Sequence, residues 1–273
     1  MKWFRLTFSL GNVIAATKCS MVYLVLIVFG LTTMSFTDPL NKRADVFSNL
    51  TNDEFTLTSQ PVAEINPDDV ELNPQAESFV EDYIRKQGEE LEQMKTWAKP
   101  YFELYDTILS SYGIPKQMKY LSVIESHLVP GLVSWAGAVG PWQIMPDEAK
   151  RFGLRRSGSV DERKDFAKST GAAALLMKEL YNKFGDWLLV VAAYNAGAGG
   201  VRKAIRKSGS RDFWALQNYL PEETRNHVKK FIATHYLFEG GGGATTMTRA
   251  ELEAKKIEVS LHRFTREPGS LAG

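Results

Sequence analysis

From Phe79 onward, apolar side chains recur at intervals of three and four residues. Phe79, Tyr83, Leu91, Met94, Trp97, Tyr101, Leu104, Tyr105 and Ile108 draw a stripe along successive helical turns. That period cannot serve a strand, whose faces alternate every second residue. The pattern continues down the chain. Pro115 opens a segment in which Met118, Leu121 and Ile124 share a face, closed before Pro130-Gly131. Pro146-Asp147-Glu148 is the acidic first turn of another helix. Phe166 to Phe184 and Trp187 to Ala196 each end at a glycine. Leu220-Pro221-Glu222-Glu223 opens a last strong helix, striped by Val228, Phe231, Ile232 and Leu237. Breaks in the first stripe are expected near Gly88 and Pro100. Strand patterning is confined to a few residues around 131–145, so the expected fold is mainly α, with one helical domain over residues 75–239. Gly240 to Gly243 are expected to end the compact part, leaving a tail over 240–273 with a weak charged helical segment near 249–258.

Composition narrows the function by exclusion. Among 273 residues there is one cysteine, Cys19, which cannot form a disulfide within the chain or supply a Cys-rich metal site. A formal net charge of +1 argues against a nucleic-acid binder that relies on a dominant basic field. The near-zero sum hides three unlike regions: +3 over residues 1–36, −6 over 37–74 and +4 over the remainder. Cys19 to Phe36 is an eighteen-residue run without a charge behind a basic stretch. It reads as an export signal, at the lower length limit for crossing a bilayer core of about 30 Å. Cleavage after Ser35 and retention as an inner-membrane anchor through residues 19–36 both stay open. Lys18 before Cys19 is wrong for lipid attachment. Residues beyond 37 are therefore expected outside the cytoplasm, in the periplasm or cell envelope. Residues 37–74, acidic and punctuated by Pro61, Pro67 and Pro74, read as a linker.

Glu125 stands out by its surroundings. It lies near the C-terminal end of an apolar helix, among Tyr120, Leu121, Val123, Ile124 and Leu128, where a low-dielectric surround favours the neutral acid that a general-acid catalyst needs. A lone Glu at a helix end more often simply faces water. Its company changes the odds. Gly137-Ala138-Val139-Gly140-Pro141-Trp142-Gln143-Ile144-Met145-Pro146 brings glycines for close backbone approach, an amide and an aromatic plane. Ala193-Tyr194-Asn195-Ala196-Gly197 adds a phenol and an amide at a helix end. Aromatic faces stack on sugar rings and amides read hydroxyl and acetamido groups, so the set suits a glycan site.

The order of Glu125-Ser126, the Gly137–Pro146 segment, the Tyr194-Asn195 segment and Leu220-Pro221-Glu222-Glu223-Thr224-Arg225-Asn226 resembles the catalytic domain of soluble lytic transglycosylases. Within that superfamily it is most similar to the membrane-bound lytic murein transglycosylase D type, over residues 100–239 and with the helices from 75 included. The resemblance implies an α+β lysozyme-like, mainly helical fold with a glycan groove. It implies cleavage of the β-1,4 bond between N-acetylmuramic acid and N-acetylglucosamine in peptidoglycan, with release of 1,6-anhydromuramoyl ends and no metal or other cofactor. Glu125 takes the place of the catalytic acid and base. Ser126, Ser134, Gly140, Gln143, Tyr194, Asn195 and Glu223 take substrate-binding places: Ser134 toward the acetamido group, Gly140 and Gln143 on the groove floor, the Tyr194 hydroxyl near the catalytic carboxyl, Asn195 on the glycan and Glu223 lining the groove. The chain departs from the family at Pro141-Trp142, in place of Leu-Met, and at His227, where many members carry Tyr. Wall-binding modules usual in the D type are not expected after residue 239.

His127, His227 and His235 do not have zinc-ligand spacing and are expected at helix surfaces or half-buried. The expected partner is a peptidoglycan glycan strand, acted on by a monomer. Two rivals remain, a hydrolytic goose-type lysozyme and a catalytically silent glycan-binding protein.

Overall fold

The computed structural model describes residues 66 and 70–266, with side chains through Leu261. The uncharged run over 19–36, the linker before Asn66 and the stretch after 266 lie outside the described residues. Among the described residues, no helix is long and apolar enough to cross a membrane.

The first helix, α1 (Pro74–Trp97), is capped by Asn73, whose Oδ1 accepts from the Gln75 amide at 2.9 Å. Its apolar stripe buries Val80, Leu91 and Met94, and the helix packs against α8. The break expected at Gly88 does not occur. Gly88 is buried within a continuous helix, where a side-chain carbon would sit 3.5 Å from Ile84 and 3.6 Å from Leu237. Its small size serves helix packing instead of a turn. The chain does break two residues before Pro100, at Ala98, and α2 (Lys99–Ser111) follows with Pro near its first position.

Pro115 leads into a 3₁₀ turn over Lys116–Lys119 and then α3 (Tyr120–Ser126). Met118 and Leu121 are fully buried, as their shared face requires. The next helix, α4 (Pro146–Arg151), has the acidic first turn read from the sequence: the Glu148 carboxylate accepts from the Met145 amide at 3.1 Å. The helices α5 (Phe166–Phe184) and α6 (Trp187–Ser208) are capped by Asp165 and Asp186. Two short pieces, α7 (Phe213–Leu216) and a 3₁₀ turn over Gln217–Tyr219, precede α8 (Glu222–Glu239). Together α1, α2, α3, α5, α6 and α8 surround one core, with α5 seated on α2 and α6, and α8 seated on α1, α3 and α6.

Strand structure is sparse. Val133 bridges Val139, which bridges Ile144, in the region where weak alternation was read. A two-residue antiparallel pair, β1 (Arg156–Ser157) and β2 (Val160–Asp161), was not anticipated, and its partners are Arg156 with Asp161 and Ser157 with Val160. The fold is mainly α with this small β element.

The expected end of the compact part at Gly240–Gly243 is not what the structure holds. Gly240 does end α8 in the left-handed conformation, at φ 81°. Beyond it, Thr245, Thr246, Met247 and Thr248 are buried. A longer helix than expected, α9 (Arg249–Arg266), then begins with its own cap. The Glu251 carboxylate accepts from the Thr248 amide at 2.7 Å, from Asn73 Nδ2 at 2.7 Å and from Trp214 Nε1 at 3.4 Å. Asp186, already the cap of α6, also accepts from the Arg249 amide at 2.7 Å. These latches fasten the start of α9 onto the body of the domain.

Candidate active site

Glu125 sits in the last turn of α3. Immediately after it the chain turns sharply, with His127 at φ 51° and Leu128 at φ 59°, both in the left-handed region that non-glycine residues avoid. That turn ends the helix with Glu125 in its final turn. The Glu125 side chain is 15% exposed and lies with Oε1 3.3 Å from Nε2 of His227, itself buried on α8. Two other polar side chains sense its charge. Tyr194 lies well above the ordinary phenol range, first through burial and then through the negative charges of Glu125 and Glu148. Glu148 is pushed above the usual carboxylate range, chiefly by burial, with Glu125 adding to it against the Met145 amide and Arg151. Glu125, Glu148, Tyr194 and His227 therefore gather from α4, α6 and α8 around the end of α3.

The segment over 132–146 forms the adjoining wall, and several contacts fix its shape. Ser126 Oγ donates to the Pro141 carbonyl at 2.8 Å and Ser122 Oγ donates to the same oxygen at 2.9 Å. Tyr194 Oη donates to the Trp142 carbonyl at 2.8 Å. Ser134 Oγ accepts from the Ala138 amide at 3.0 Å within a turn that leaves Trp135 fully exposed. Gln143 adopts φ 46°, and its Nε2 donates to the Gly140 carbonyl at 2.9 Å. Asn195 Oδ1 accepts from Thr224 Oγ1 at 2.7 Å, which joins α6 to α8 across the site. The break after Asn195 is real: Gly197 has φ 72° and ψ 153° inside α6, a conformation that ends the helical run where the sequence placed it.

The expected residues divide by surroundings. Tyr194 feels the charge of Glu125 and holds the Trp142 carbonyl, which Gln143 follows on the wall, while Asn195 is tied to Thr224 on α8. Ser126 is buried and spends its hydroxyl on Pro141. Gly140 is buried against the backbone of Arg163, where a side-chain carbon would collide with the carbonyl oxygen. Both hold the wall in shape. Ser134 lies at the tip of the wall and Glu223 is exposed in the first turn of α8. Trp142, read as an aromatic plane for sugar, is fully buried, with its indole N–H on Thr170 Oγ1 at 2.8 Å and its ring 5.0 Å from that of Tyr105. The exposed aromatic on this wall is Trp135.

Two histidines lie deeper than the sequence suggested, and one arginine escaped it. His227 and His235 are buried and not on the surface, His235 with Nδ1 on the Gly241 carbonyl at 3.0 Å. Arg163 is 4% exposed and grips the wall from behind: Nη1 donates to the carbonyls of Gly137 at 2.8 Å and Ile144 at 3.1 Å, while Nη2 pairs with Asp161 at 2.7 Å. No local pattern marks Arg163, because its partners lie up to 26 residues away.

Residues 106–217, which carry Glu125, the wall and Tyr194-Asn195, match the family profile described as the transglycosylase SLT domain. The match covers less than half of the chain. Among curated proteins, the chain is 37% identical over 164 residues to the membrane-bound lytic murein transglycosylase D of Escherichia coli K12, covering 56% of this chain and 36% of that protein. The soluble lytic murein transglycosylase of the same organism is 31% identical over 163 residues, covering 55% of this chain and 25% of the relative. The chain thus spans little more than a third of the first of these relatives and a quarter of the second. Among solved structures, the 70 kDa soluble lytic transglycosylase of Escherichia coli aligns with a TM-score of 0.47 at 29% identity, covering 55% of this chain and 26% of that one.

Proposed function

We propose that this protein is a peptidoglycan lytic transglycosylase of the bacterial cell envelope, cleaving the MurNAc-β-1,4-GlcNAc bond with formation of 1,6-anhydromuramoyl ends. The observation that carries the reading is Glu125, a carboxyl of low exposure at the end of α3, together with Tyr194 and Asn195 inside the stretch that matches the SLT domain profile. In this reading Glu125 gives its proton to the glycosidic oxygen as the bond to the anomeric carbon breaks. The resulting carboxylate takes the proton of the muramoyl C6 hydroxyl as that oxygen closes on the anomeric carbon. The substrate's own acetamido group steadies the cationic intermediate, so no second carboxylate is required. Gln143 and Asn195 supply amides to the glycan, Ser134 and Glu223 border the groove, and Trp135 offers a face on which a sugar ring can stack.

A hydrolytic muramidase is the second reading, and Glu148 is the observation that favours it, since ordinary glycosidases use two carboxylates. Glu148 is less suited to activate water than its position suggests. One of its oxygens accepts from the Met145 amide at the start of α4, so the side chain is committed to capping.

Residues 1–36 then act as an export signal or inner-membrane anchor and 37–74 as a linker to the wall. The catalytic unit takes in the segment as far as the start of α9, since that segment is latched to it. Digestion of purified sacculi followed by mass spectrometry of the muropeptides tests the reaction. Wild type should release anhydro ends and Glu125→Gln should release none; reducing ends alone would move the protein to the hydrolases.

A further inference from the structure

We propose that His227 is a positioning residue for the reacting carboxyl: its ring N–H, in reach of Oε1 of Glu125, aligns on that oxygen as substrate seats and so keeps the transferable proton on Oε2. This deepens the transglycosylase reading and rests on it. Nε2 lies 3.3 Å from Oε1, cut off from solvent and without a hydrogen-bond partner: the two atoms are in reach of each other but not aligned for a bond in the resting structure. A buried ring nitrogen without a partner costs about 1–3 kcal/mol, so a structure that keeps one there needs a use for it. No lysine or arginine pairs with Glu125 among the described residues; Tyr194 has its hydroxyl on the Trp142 carbonyl, and Glu148 has one oxygen on the Met145 amide and no donor to offer as a carboxylate. His227 is the group left to orient the carboxyl.

The arrangement suits a residue that must be acid and then base. With Glu125 neutral, Oε1 is its carbonyl oxygen and accepts from Nε2–H, while the hydroxyl on Oε2 is free for the glycosidic oxygen. When that proton leaves, the same N–H faces a carboxylate and the hydrogen bond becomes charge-assisted, so it is stronger in the state that follows proton transfer. The C6 hydroxyl then returns a proton to Oε2. In this scheme His227 donates a hydrogen bond and transfers no proton. Its ring is held by burial on α8, the helix that also brings Thr224 to Asn195.

Two measurements test this separately from the reaction class. In steady-state digestion of a defined glycan strand, His227→Phe should lower kcat by roughly ten- to a hundredfold while KM moves less than about threefold. His227→Gln, whose side-chain amide can reach the same oxygen, should recover several-fold of the loss. Equal kcat in His227→Phe and wild type, or a His227→Gln no better than His227→Phe, would overturn the proposal, as would a loss confined to KM. In nitrogen-15-labelled wild-type protein, the imidazole spectrum should report a protonated Nε2 at His227 that shifts on Glu125→Gln. An unprotonated Nε2, or one indifferent to that substitution, sinks the hydrogen bond whatever the enzyme releases. Absence of anhydro ends from wild type would instead remove the transglycosylase reading and leave the spectrum to decide the contact.

Discussion

Gly140 and Arg163 meet backbone to backbone, with no room between them for a side chain on Gly140. Gly140 also holds φ at 87°, which an L side chain rarely adopts. Gly140→Ala therefore combines strain with a collision against a rigid carbonyl, and about 2–4 kcal/mol of stability should be lost. Chemical denaturation would read the loss, and the amides of residues 132–146 should show the largest shifts by NMR.

The ion pair behind the wall makes stability depend on acidity. The Arg163 guanidinium beside Asp161 holds that carboxyl below its ordinary 3.8. A carboxyl whose folded value is depressed binds fewer protons folded than unfolded. Its contribution is present above the unfolded value and lost as pH falls through the folded one. The stability gap between wild type and Asp161→Asn should be level above about pH 5 and close progressively below 3.8. Urea midpoints at stepped pH would follow it, and a gap that widened in acid would contradict the assignment.

Tyr194→Phe keeps the ring and deletes the bond to the Trp142 carbonyl. A buried carbonyl left without that donor costs about 1–3 kcal/mol. Because the freed carbonyl precedes Gln143, the variant should also bind glycan more weakly, seen as a raised KM beside a lowered thermal midpoint.

Asp186→Ala removes an oxygen from the Leu189 amide at 3.0 Å and another from the Arg249 amide at 2.7 Å. The lost α6 cap alone is worth about 1 kcal/mol. Limited proteolysis should cut the variant between residues 240 and 249 faster than wild type, with glycan cleavage within about twofold of wild type because Asp186 touches none of the site residues.

Much of this fold was legible along the chain because its causes are local. The apolar period, Pro115, Pro146 and the glycines after Phe184 and Ala196 act within a turn of where they stand, and Gly197 breaks α6 at the predicted residue. Where the reading failed, the cause lay across the fold. Gly88 looked like a break because propensity is local, but Leu237 from α8 needs the space. Trp142 looked like a sugar platform because aromatic residues serve both roles, and only the place of Thr170 and Tyr105 decides between them. His227 was judged by metal spacing along its own helix, whereas its meaning comes from Glu125, on another helix. The motif segments are legible along the chain; the grip of Arg163 on the wall and the approach of His227 to Glu125 are not, because both come from elsewhere in the fold.

Glu251 ties the first and last described helices to one carboxylate, receiving Asn73 from before α1 while capping α9. The two helices most exposed to fraying thus release together. Hydrogen exchange at the start of α1 and the start of α9 should follow one opening event, and a chain cut at residue 239 would loosen its beginning as well as its end.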